Sequence, residues 1–190
     1  FVIQRTTDLF TADFPDFTAY IKSAVPSTHH LAKQPSLQHS PDRDFAAFVA
    51  QKVQQLRTKN VRQIAVICHS DSFWDEIAAT LRAQRMPLHI LLKRGEQIPA
   101  DQPLVILSKP SYIGGQEFDA VLAIGLEEGV VPPRIQDNGA LAAAVEQQAY
   151  REMYISFTRA RYQLHVLLSA GSAPTDVLQA ARDAEKIIRL

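Results

Sequence analysis

The 190 residues are 46% hydrophobic and 21% charged, which fits one globular domain with a sizeable core and excludes disorder of the whole chain. Twenty acidic and twenty basic residues cancel, so a polybasic nucleic-acid binder acting by phosphate neutralisation alone is excluded, and any strand contact must come from a local patch. One cysteine, Cys68, excludes a disulfide framework or a cysteine zinc site and suits a reducing, cytoplasmic setting, and no apolar run approaches the roughly 20 residues that span a bilayer.

The chain opens on Phe1 without the flanks of a signal peptide and reads as a piece of a longer protein, forming a single domain over 1–190. Residues 1–41 read as an N-terminal connection and loop. Their least structured stretch, Ser23 to Ser40, holds Pro26, Pro35 and the His29-His30 pair. No third ligand falls at a useful spacing from those histidines, so no metal site is expected. Residues 42–190 read as the core. Phe45, Phe48, Val49, Val53 and Leu56 recur with helical spacing after Ser40-Pro41-Asp42, which supplies a start and a cap. Val61 to Cys68 reads as a buried strand, and His69-Ser70-Asp71 turns into a helix carrying Phe73, Trp74, Ile77, Ala78 and Leu81. Strands follow at Pro87 to Leu92, Leu104 to Leu107, Phe118 to Ile124 and Gln163 to Leu168, with helices over Ala140 to Arg161 and Thr175 to Ile188. The alternation predicts an α/β fold with a mainly parallel central sheet flanked by helices and joined by right-handed crossovers. In such sheets ligands bind beyond the carboxyl ends of the strands.

Chemistry concentrates in three stretches. Arg151-Glu152-Met153-Tyr154-Ile155-Ser156-Phe157-Thr158-Arg159-Ala160-Arg161 sets an arginine between a predicted helix and a following strand, a candidate to reach out to a phosphate. Gly115-Gln116-Glu117-Phe118-Asp119-Ala120-Val121 is followed by Gly125-Leu126-Glu127-Glu128-Gly129-Val130-Val131-Pro132, and Gln4-Arg5-Thr6-Thr7 opens the chain. These stretches resemble, in order, motifs VI (R-x-L-Y-V-A-x-T-R-A), V (K-G-L-E-F-D-x-V with its G-x-x-E-G-x-x-P tail) and IV (Y-R-S-T) of the UvrD/Rep-like superfamily 1 helicases.

The resemblance implies a RecA-like, three-layer P-loop NTPase-type fold, specifically the C-terminal motor domain. The short Lys93 to Pro103 stretch implies that the large domain inserted there in bigger relatives is missing. It implies that Arg159 is an arginine finger to the γ-phosphate of ATP, that Arg5 meets the same phosphate, and that Glu117 accepts from the ribose. Gln4, Gly115 and Tyr154 would lie about the nucleotide, and Lys109, Ser111 and Tyr112 along single-stranded DNA. No G-x-x-x-x-G-K-[ST] occurs in the chain. ATP and its Mg2+ would therefore be held by an N-terminal RecA-like domain of the same protein, and the chain alone would be inactive.

The departures fall unevenly. Gly114 replaces the motif V lysine, Lys109 its threonine and Ser111 its DNA-touching histidine, while Gln4 stands for the adenine-stacking tyrosine of motif IV. Cys68-His69-Ser70-Asp71 replaces a downstream Tyr-Arg-x-Asn. Phosphate-facing residues thus match better than base- and strand-facing ones. Plainer roles compete for each position: an ion pair from Arg159 to Glu152, a solvated end for Arg5, a brace at a turn for Glu117, core packing for Tyr154. Gly125 and Gly129 suit a tight loop, and Glu127 with Glu128 a solvated one. Cys68 and His69, adjacent in a strand, point to opposite faces and make no nucleophile and base. A non-catalytic RecA-like docking or regulatory module is the alternative function. An unrelated Rossmann-like domain lacks its G-x-G-x-x-G loop.

Overall fold

The computed structural model describes residues 30–99, 102–134 and 139–190. β1 (Ser36–His39) leads through α1 (Phe45–Thr58) to β2 (Gln63–Cys68), a 3-10 turn (Asp71–Phe73) and α2 (Trp74–Ala83). β3 (Leu88–Ile90), β4 (Leu104–Ser108), a second 3-10 turn (Pro110–Tyr112) and β5 (Phe118–Ile124) follow. α3 (Ala140–Phe157), β6 (Ala160–Leu168), α4 (Asp176–Asp183) and β7 (Ile188–Arg189) complete the described chain. The seven described strands form one sheet, ordered β3-β4-β2-β5-β6-β1-β7, and every pairing is parallel.

Alternation along the central strands sorts the core into two layers. Ile64, Val66, Leu107 and Leu122 join Val49 and Val53 of α1 and Ile77 and Leu81 of α2 on one face. Ala65, Ile67, Ile106 and Val121 join Met153 and Phe157 of α3 and Leu178 of α4 on the other. Each fully buried aliphatic side chain contributes about 1.5–3 kcal/mol. Burial on both faces explains why β2, β4 and β5 read as nearly continuous apolar runs. The expected three-layer architecture is therefore present.

Several boundaries differ from the expectation. Ser36 to His39, placed in a surface loop, is a strand held between β6 and β7, with Leu37 wholly buried. Four residues after a proline carry too short a pattern to signal a strand; the two flanking strands supply the ladder. The cap of α1 is Asp44, whose Oδ1 accepts from the N–H of Ala47 at 2.9 Å, whereas Asp42 accepts from Asp44 itself. α3 ends at Phe157 rather than Arg161, because the Arg159 carbonyl and Ala160 are drawn into the ladder with Phe118, where β6 begins. α4 stops at Asp183, and Ile188, expected as its end, opens β7.

Candidate functional site

A residue that precedes a strand of a parallel sheet lies at the amino edge, and one that follows a strand lies at the carboxyl edge. Arg159 precedes β6 and Glu117 precedes β5, so both stand at the amino edge, where the N–H of Phe118 donates to the Arg159 carbonyl at 2.9 Å. These residues therefore do not stand beyond the carboxyl ends of the strands: a helix-to-strand arginine is carried to the opposite edge by the direction of the chain.

The backbone around Arg159 is tightly set. The Arg159 N–H donates to the Ser156 carbonyl at 3.2 Å, and that of Thr158 to Tyr154 at 3.0 Å. Its guanidinium reaches the Gln116 carbonyl through Nη1 at 3.4 Å and the Thr158 hydroxyl through Nη2 at 3.2 Å. Nε is buried and has no hydrogen-bond partner among the described residues, and an unmet buried donor costs on the order of 1–3 kcal/mol. The expected competitor, Glu152, is not engaged with Arg159; it accepts from Gln148 at 2.9 Å. Tyr154 is half-buried beside this arginine. Burial pushes its phenol upward and the Arg159 charge pulls it partly back.

Glu117 is exposed, and its Oε2 accepts from Nε of Arg161 at 3.3 Å. Both side chains line a cavity of about 460 Å³ with Arg62, Gly115, Gln116 and Asp119. Gly115 adopts φ +82 with open space where a Cβ would stand, so backbone conformation rather than crowding selects glycine there. Oδ2 of Asp119 accepts from the N–H groups of Arg62 and Gln63, at 3.1 Å each, and ties the start of β5 to that of β2. Gln4 and Arg5 lie outside the described residues.

Lys109, Ser111 and Tyr112 begin the segment leaving the carboxyl end of β4, at the far edge. The seven residues of β5 separate the edges by about 20 Å. Lys109 Nζ lies 2.6 Å from Asp71 Oδ1 and 5.8 Å from the centre of the Trp74 ring. The hydrogen bond to Asp71 holds its ammonium above the usual lysine range. Ser111 is exposed, and Tyr112 is half-buried against the core. The structure therefore gathers Arg159, Glu117, Gly115 and Tyr154 about the amino edge and keeps the strand candidates apart from them.

Other expectations at the carboxyl edge change. Glu127 is buried, not solvated: its Oε1 accepts from the Ser169 N–H at 3.0 Å and hydroxyl at 2.7 Å, and its Oε2 has no partner among the described residues. Glu128 is solvated and pairs with Arg134 at 2.6 Å. Gly125 has φ +76, and a Cβ would come 2.8 Å from the Ser70 nitrogen, so close packing of two loops adds to the turn requirement. Burial pushes the Cys68 thiol up to about 12 and His69 down to about 3, which leaves neither ready for nucleophilic chemistry. Among the described residues no three His, Cys, Asp or Glu side chains are grouped to hold a metal ion, and no helix is long and apolar enough to cross a membrane. Arg62, Asp119 and Arg161 were missed by sequence reasoning. Asp119 and Arg161 were visible within the quoted motif stretches without a role of their own, but nothing in the pattern of Arg62 marks it.

Neither a protein-family profile nor a curated protein sequence matches the chain. Among solved structures, the C-terminal part of the Fun30 ATPase domain overlaps 86% of this chain and 49% of its own at 12% identity, but its TM-score of 0.37 carries no argument. The C-terminal domain of a possible DNA helicase from Lactobacillus plantarum WCFS1 is similar over 98% of this chain and 95% of its own, with TM-score 0.64 and 15% identity. That likeness, with the parallel sheet covered on both faces, identifies the fold as RecA-like.

Proposed function

We propose that this chain is the C-terminal motor half of an ATP-dependent, UvrD/Rep-like superfamily 1 DNA helicase. ATP would sit between the amino edge of this sheet and an N-terminal RecA-like domain of the same protein, which would supply the phosphate cradle and hold Mg2+. Closure of the two domains would bring Arg159 to the γ-phosphate, with Arg5 beside it. Arginine suits this work because its planar fork stays charged and meets phosphate oxygens in pairs. Charge that develops during phosphoryl transfer is stabilised by such pre-set positive groups. Glu117 would accept from the ribose, with Gly115 and Tyr154 near the nucleotide. Opening and closing would then advance single-stranded DNA past Lys109, Ser111 and Tyr112, inside the cytoplasm.

The observation that carries the proposal is the buried Arg159 Nε, without a partner among the described residues, on a guanidinium that reaches the carbonyl of Gln116, a lining residue of the cavity that Glu117 shares. The test is ATP hydrolysis by the complete protein with and without single-stranded DNA, alongside Arg159→Ala. Strand-stimulated turnover that collapses in the variant is expected; turnover indifferent to the substitution would overturn the assignment. The pairing of Lys109 with Asp71 favours a second reading, a RecA-like docking or regulatory module that has lost its strand contact. Absence of any turnover in the complete protein would support that module.

A further inference from the structure

The ladder between β5 and β6 breaks where the cavity begins. Phe118 pairs with Ala160, but Ala120 pairs with Gln163, so Arg161 and Tyr162 together stand opposite the single residue Asp119. An extra residue on one strand bends it locally and re-aims side chains, and such bulges recur beside functional sites. At this bulge Asp119 turns its carboxylate to the backbone of β2, and Arg161 turns its guanidinium to Glu117 along the cavity wall. Arg161 engages only Oε2; Oε1 of Glu117 carries no hydrogen bond among the described residues. A carboxylate offers about four acceptor sites on its two oxygens, so a partner on one oxygen leaves the other able to accept. Both side chains are about half exposed, a setting in which an ion pair adds little to folding stability. Stability alone therefore gives no reason to build a bulge that delivers this arginine here.

We propose that Arg161 is a positioning residue: it clamps Oε2 of Glu117 and holds the carboxylate so that Oε1 accepts from a ribose hydroxyl of the nucleotide. The proposal rests on the nucleotide reading given above. It assigns to Arg161 no contact with phosphate and no part in the chemical step.

The test compares ATP with 2′,3′-dideoxy-ATP as substrates of the complete protein, using Glu117→Ala, Arg161→Ala and Arg161→Lys. In wild type and in every variant, kcat and KM are read separately. Glu117→Ala should abolish the preference for ATP over the dideoxy nucleotide. Arg161→Ala should raise KM for ATP by about fivefold, the ceiling for a half-exposed pair, with kcat and the dideoxy KM unchanged. Arg161→Lys should recover most of the loss. If Glu117→Ala weakens ATP selectively while Arg161→Ala does not, the positioning role falls and the ribose reading stands. If Glu117→Ala leaves the preference intact, the ribose reading falls and takes this inference with it. A loss of kcat shared by both nucleotides in Arg161→Ala would assign the arginine to phosphate and overturn the role proposed here.

Discussion

At the amino edge Arg159 keeps a buried N–H without a partner among the described residues and reaches the carbonyl of Gln116 on the cavity wall, whereas at the carboxyl edge Lys109 is closed onto Asp71 at 2.6 Å and Glu127 onto Ser169. His69 and Glu127 also each keep one buried unpaired atom, but their loops lie next to the tight contact of Gly125 with Ser70. Charge at the helix ends also divides by edge. The first turns of α2 and α4 carry Asp75, Glu76 and Asp176 at the carboxyl edge, while the last turns of α1, α2 and α4 carry Arg57, Arg82 and Arg182 at the amino edge. Helix dipoles favour this arrangement, acids at N-termini and bases at C-termini. In a parallel sheet every connecting helix runs back the same way, so these helix-terminal charges sort by edge, even though Glu117 and Asp119 stand at the amino edge and Lys109 at the carboxyl edge.

The sharpest way to break the comparison is to remove one cation from each edge. Arg159→Ala should lower turnover of the complete protein about a thousandfold, the scale of a lost arginine finger, while Lys109→Ala should leave strand-free turnover unchanged. Equal losses in steady-state assays would erase the distinction between edges.

Acid should act next. Burial holds His69 near about 3, and burial with the charges of Lys52, Lys33 and Lys59 holds His165 near about 3. The unfolded chain takes up these protons as pH falls through about 6.5, while the folded chain refuses them until about pH 3. Both groups therefore destabilise the fold progressively across that window, each by about 1.4 kcal/mol per pH unit. Urea unfolding of His165→Gln should show a shallower acid slope than wild type; identical slopes would mean the imidazole is charged in the native state.

Gly125→Ala should destabilise by about 1–3 kcal/mol through strain at positive φ, with the contact at Ser70 adding to it. Gly115→Ala, at similar φ but in open space, should cost less, and equilibrium denaturation of the pair compares a packed edge with an open one. The smallest effect concerns Asp71→Asn, which should change stability by less than about 1 kcal/mol because the pair is exposed. Freed from that partner, Lys109 should tighten single-stranded DNA binding and steepen its salt dependence by about one counterion in a fluorescence titration. No change in the salt slope would remove Lys109 from the proposed track.

Local patterning carried most of the architecture. The apolar runs of β2, β4 and β5 and the helical spacing from Phe45 to Leu56 each announce an element because burial against the two layers demands those residues in that order. β5 begins and ends at the expected residues, Phe118 and Ile124. β1 and β7 were illegible because each is short and draws its ladder from strands distant in sequence. The end of α3 was misplaced because apolar spacing continues through Phe157 into Ala160, and the stop is set by pairing with Phe118, a residue distant in sequence.

The sequence by itself determined a parallel α/β chain and singled out Arg159 and Glu117 as the residues to watch, since periodicity and motif are local properties. The tertiary structure decided that both stand at the amino edge, that Lys109 lies across the sheet with Asp71 for a partner, that Glu127 is buried, and that a bulge brings Arg161 to Glu117. Such facts depend on strand order, register and which groups are left without partners, and no stretch of chain encodes those until the sheet has closed.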